Sequence, residues 1–156
     1  MNWELAANIA TVITSISIFF AMLQLVKEMR KESWEAFFYL HQYLSQDQFG
    51  EARKKVRTEL YKLDYEKWTE EDITFANRVC SSYDQAGILL SQNLLKKKSK
   101  RNFLCSSWGN SIIDQYEALE PYLNDMQTPT QTGREFFKHF TWLYNETKRD
   151  REKYLG

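Results

Sequence analysis

LAANIATVITSISIFFAMLQLV, residues 5–26, runs without a charged side chain between Glu4 and Lys27. As a helix rising about 1.5 Å per residue it is ~33 Å long, close to the hydrocarbon thickness of a bilayer. A cleaved leader has a basic start and a small-residue exit, whereas this chain begins MNWE and leaves the run through Gln24, Leu25 and Val26. The run is therefore expected to stay in place as one transmembrane helix. Glu4 precedes it and Lys27, Arg30 and Lys31 follow it, which by the positive-inside rule puts the N-terminus outside and the rest in the cytoplasm. Residues 1–31 are read as anchor and juxtamembrane segment, and residues 32–156 as one cytoplasmic domain.

On a helical wheel the run has two unlike halves. Leu5, Ile9, Val12, Ile13, Ile16, Phe19, Phe20 and Leu23 make a bulky half suited to lipid. The other half carries Ala7, Asn8, Ala10, Thr11, Thr14, Ser15, Ser17, Ala21 and Gln24, interrupted by Ile18, Met22, Leu25 and Val26. Polar groups facing lipid are unfavourable, and small residues three and four apart let helix backbones approach. This half is expected to face other copies of the chain, the lumen of a ring-shaped pore, or a partner's helix. In a pore, Asn8, Thr11, Thr14 and Ser15 would wet the outer portion. Ile18 and Met22 would form a constriction nearer the cytoplasm.

Behind the run, neither Gly nor Pro occurs before Gly50, and Trp34, Phe37, Phe38, Leu40, Tyr43 and Leu44 continue an apolar helical pattern. Further helices are predicted over about Gln48 to Leu63, with the basic face Arg53, Lys54, Lys55 and Arg57 in solvent, and from Thr69 onward. The stripe Ile73, Ala76, Cys80, Tyr83, Gly87, Leu90 and Leu94 makes the latter a core helix. Gly87 within it predicts close passage of a neighbouring helix. A fourth helix carries Leu104, Trp108, Ile112, Tyr116 and Leu119 and is predicted to end at Pro121, Thr128 to Gly133 form a loop, and a last helix starts at Arg134. No strand alternation appears, so the expected fold is all-α, one transmembrane helix continuing into a bundle of four or five helices.

The 21 basic and 21 acidic residues cancel, so partners must be sought in local clusters. Lys96, Lys97, Lys98, Lys100 and Arg101 form the densest run, able to contact RNA phosphates or lipid head groups, or to lie solvated between helices. Cys80 and Cys105 are solitary and are expected to be reduced core residues. Histidine and carboxylate clusters at metal spacing, a glycine-rich phosphate loop and a serine nucleophile motif are all lacking, so no metal or cofactor is expected. Five Trp and 15% aromatic residues suit a large protomer interface.

Arg134-Glu135-Phe136-Phe137-Lys138-His139 resembles the Arg-x4-6-His signature of HEPN domains, small helical bundles with ribonuclease members. The resemblance implies that His139 is the general acid or base when an RNA 2′-hydroxyl attacks its own phosphate. Arg134 would stabilise the phosphate charge without metal. Side chains five apart on a helix diverge by ~140°, so both reach one phosphate only if Arg134 is at a frayed helix start or if two protomers contribute. The alternative makes Arg134 a surface residue and His139 a half-buried packing residue beside Phe136 and Phe140.

One span, a helical cytoplasmic domain of this size and a divergent Arg-x4-His together resemble the small membrane accessory proteins of type VI-B, RNA-targeting CRISPR systems. That resemblance implies a HEPN-like domain and a homo-oligomer in the bacterial inner membrane. It also implies antiviral defence by membrane permeabilisation, in support of an RNA-guided nuclease. A second resemblance, carried by Trp108-Gly109-Asn110-Ser111-Ile112-Ile113 and Leu119-Glu120-Pro121-Tyr122, is to an uncharacterised group of bacterial one-span proteins and implies no function. Two other readings stay open: a membrane-tethered, metal-independent HEPN ribonuclease and a passive membrane adaptor. The enzyme question leans to no.

Overall fold

A computed structural model describes residues 20, 21, 23, 24, 34–92, 95, 97–127 and 136–155. The described chain is all-α, without a strand. Of the run 5–26 it includes residues 20, 21, 23 and 24, all helical, with Phe20 and Leu23 of the bulky half 60% and 49% exposed. Asn8, Thr11, Thr14, Ser15, Ile18 and Met22 lie outside the described residues, as do Lys96, Arg134 and the predicted loop from Thr128 to Gly133. Among the described residues no helix is long and apolar enough to cross a membrane.

The first bundle helix, α1, is described over residues 34–44. It is followed by α2 (Asp47–Thr58), α3 (Glu70–Ser91), α4 (Lys97–Asn102), α5 (Gly109–Ala118), α6 (Glu120–Gln127) and α7 (Lys138–Leu155). α3 is the axle. Its N-terminus is fixed by a capping box, in which the Thr69 hydroxyl accepts from the Asp72 N–H while the Asp72 carboxylate accepts from the Thr69 N–H. Of the predicted stripe, Ala76, Cys80, Tyr83, Gly87 and Leu90 face the core, joined by Val79 and Ala86, while Ile73 is partly buried and Leu94 lies outside the described residues. α7 packs along α3 through Phe140, whose ring stacks on Tyr83 at 5.0 Å. α5 runs antiparallel to α7, since Asn110 meets Arg151 at one end and Glu117 meets Tyr144 at the other.

Five expectations shift. The second helix ends at Thr58 rather than Leu63, because a 3-10 turn over Leu60–Lys62 drops Leu60 into the core. Its face is not wholly solvated: Arg53 is buried, and its Nη2 donates to the Leu44 carbonyl at 2.6 Å, capping the C-terminus of α1. The guanidinium lies 5.1 Å from the Trp108 ring centroid and 5.9 Å from that of Tyr83. Burial lowers its pKa below the ordinary arginine value, against the opposing pull of Tyr83. Burial in turn pushes the Tyr83 phenol up to about 12.

The helix expected through Leu104 and Trp108 is not one continuous α-helix. Phe103–Ser107 widens to a π turn in which the Trp108 N–H reaches the Phe103 carbonyl at 3.0 Å, and α5 starts afresh at Gly109. Only glycine fits there, because a Cβ would stand 3.0 Å from the Leu104 carbonyl carbon and closer still to its oxygen. The helix expected to end at Pro121 ends at Ala118, and Pro121 instead occupies the first turn of α6, where a missing N–H costs nothing. Finally, α7 begins at Lys138, not Arg134; Phe136 and Phe137 form a turn, with Phe137 at φ 54.

Candidate functional site

The start of α7 brings His139 and Gly87, both singled out in the sequence, against each other. His139 is its second residue and is half-buried. Its main-chain N–H and that of Phe140 both donate to the Asp84 Oδ1 of α3, at 2.9 and 3.0 Å. Asp84 thus supplies from a neighbouring helix the acceptor that a local cap would normally provide. One turn along α3, Gly87 lets the His139 backbone pass, since a Cβ on it would lie 2.7 Å from the His139 carbonyl carbon. The close passage expected at Gly87 is therefore made by the backbone of His139.

The arrangement bears on phosphate chemistry. A helix N-terminus attracts anions when its N–H groups are open, but here a carboxylate takes two of them. Arg134 lies outside the described residues, so only His139 of the pair is placed. Beside it, a polar cleft of about 460 Å³ is lined by Gln127, Lys138, Thr141, Trp142 and Asn145. Within that wall the Thr141 hydroxyl accepts from Gln127 Nε2 at 2.9 Å and from the Tyr116 hydroxyl at 3.3 Å. No group of three His, Cys, Asp or Glu side chains poised for a metal occurs among the described residues.

Lys97, Lys98, Lys100 and Arg101 of the basic run lie on α4 and divide into two kinds of residue. Lys100 is engaged: its ammonium sits 3.4 Å from Glu146 Oε2 and 4.6 Å above the Trp142 ring, tying α4 to α7. Lys97 and Lys98 are exposed, with no carboxylate paired to either among the described residues. Arg101 is partly buried. Between α1 and the end of α3 lies an apolar cavity of about 260 Å³, lined by Glu35, Ala36, Tyr39, Leu40, Leu89, Leu90 and Leu95. On the same helix as Glu35, Trp34, Phe38 and Tyr39 are 58%, 56% and 61% exposed.

The sequence reading missed Asp84, Arg53 and His41. His41 accepts a hydrogen bond from the Trp108 indole at 3.1 Å, through its Nδ1, and so links the last turn of α1 to the residue ahead of α5. The cysteines are free: Cys80 is fully buried, with its thiol pKa raised by that burial, while Cys105 is only partly buried in the π turn.

A family model described as a domain of unknown function (DUF4760) matches residues 11–147. No curated protein and no solved structure matches the chain.

Proposed function

The chain belongs to the family described as a domain of unknown function (DUF4760), and from that premise we propose a one-span membrane protein that assembles through its anchor and permeabilises the membrane. The observation that carries this reading is the lopsided run 5–26, in which Asn8, Thr11, Thr14 and Ser15 share a face that lipid would not solvate. Two findings support it. The family match begins at residue 11, inside the run, and continues without a break to residue 147, so that much of the anchor and the bundle are matched together. Phe20 and Leu23, on the half assigned to lipid, are exposed.

In this reading the helix of the span continues into a HEPN-like bundle that serves as assembly scaffold, with the N-terminus outside and the bundle in the bacterial cytoplasm. The resemblance to CRISPR accessory proteins supplies the setting: an inner-membrane effector that adds to antiviral immunity given by an RNA-guided nuclease. Replacing Asn8, Thr11 and Thr14 together by Leu should abolish depolarisation of cells expressing the protein while leaving membrane insertion intact. Unchanged depolarisation would remove the pore assignment.

A ribonuclease keeps one supporting observation, the half-exposed His139 near a polar cleft, and one against it, the Asp84 carboxylate at the helix N-terminus. A passive adaptor would tolerate a foreign span in place of residues 1–26.

A further inference from the structure

The overall charge of zero conceals a local pair of exposed cations, Lys97 and Lys98, at the start of α4. Lys97 and Lys98 start α4 two and three residues after Leu95, a buried wall of the apolar cavity. Two residues of chain span at most ~7 Å, so the start of α4 stands close to the Leu95 wall of the cavity. Its other wall is the start of α1, where Trp34, Phe38 and Tyr39 project outward. In sequence, the seven residues between Val26 and Trp34 carry Lys27, Arg30 and Lys31 against Glu28 and Glu32. Glu35 is the one acidic residue on the cavity wall, and it is exposed.

Large aromatics with a polar edge beside clustered cations are the side chains that settle at the head-group level of a bilayer. Each Lys near an anionic leaflet contributes attraction that falls off within about a Debye length. Acidic phospholipid is complementary in charge to Lys97 and Lys98. We propose that this end of the bundle is a lipid-binding surface. Lys97 and Lys98 contact the phosphates of acidic phospholipids, Trp34, Phe38 and Tyr39 sit at head-group depth, and the cavity beside Leu95 takes part of an acyl chain. Lys100, held by Glu146 and Trp142, serves packing instead.

The inference rests on the membrane-anchor reading, and the two are separable in one preparation. Full-length protein is placed in nanodiscs of phosphatidylcholine alone or with phosphatidylglycerol bearing brominated acyl chains, and the Trp34 contribution is isolated as the difference from Trp34→Phe. The expected result is quenching of Trp34 that appears with phosphatidylglycerol and falls at least threefold in Lys97→Glu/Lys98→Glu. Absence of that quenching, or quenching indifferent to the two lysines, overturns the surface. Trp34 shielding that grows with copies per disc assigns the face to a second protomer and overturns it equally. Retention of the chain through alkaline carbonate washing reads the anchor on its own: loss from the membrane rejects the span, whatever Trp34 reports.

Discussion

Asp84 and Gly87 act on the same few atoms at the start of α7, one by attraction and one by absence. The carboxylate accepts two main-chain N–H groups that the helix cannot satisfy internally, and the missing Cβ makes room for the His139 backbone that carries one of them. Asp84→Ala should cost about 1–2 kcal/mol of stability, and Gly87→Ala about 1–3 kcal/mol through overpacking, despite the better helix propensity of alanine. Both are checked by denaturant titration of the full chain in detergent. An unchanged midpoint in either variant would contradict this account of the corner. Gly87 was legible because it interrupts an apolar stripe at helical spacing. Asp84 was not, since its partners lie 55 and 56 residues away and nothing local marks a cap delivered by another helix. Arg53 escaped for a similar reason: neighbouring Lys54, Lys55 and Arg57 made it look like part of a solvated face, while its acceptor is the end of α1.

Among the elements, α3 shows how far local chemistry reaches. Thr69, Asp72 and the stripe through Leu90 specify start, face and partner, and the helix forms where they say. Its capping box also makes the element sensitive to acid. The Asp72 carboxyl is held below the usual carboxylate range, first by the Thr69 N–H, with the Thr69 hydroxyl and Lys55 adding to it and burial opposing. A depressed folded-state pKa stabilises above the unfolded value of about 4 and is lost as pH falls through the folded value. The difference in melting temperature between wild type and Asp72→Asn should therefore be full at pH 7 and shrink steadily below about pH 4. A difference that persists undiminished at acid pH would assign the effect to packing. The Trp108 segment shows the opposite case. Its spacing is helical, yet Gly109 seated against Leu104 permits a π turn and a restart, and apolar periodicity is blind to a single extra residue in a turn. The lysine run was equally opaque, because its division into packed Lys100 and exposed Lys97 and Lys98 depends on where α7 places Glu146 and Trp142.

At the scale of the whole molecule, an all-α fold followed from helical spacing over every apolar stretch and from the lack of alternation, and the described bundle has that form. The candidate site was less legible, because it joins groups from distant parts of the chain, as the His139 backbone does with Asp84. The proposal that the polar face of residues 5–26 brings copies together is the centre of the account, and the copy number of the full-length protein extracted into mild detergent tests it most directly. Native mass spectrometry should show a closed assembly of several chains for the wild type and dissociated chains for the Asn8, Thr11 and Thr14 to Leu variant. A monomer for both, or the same assembly for both, would contradict it.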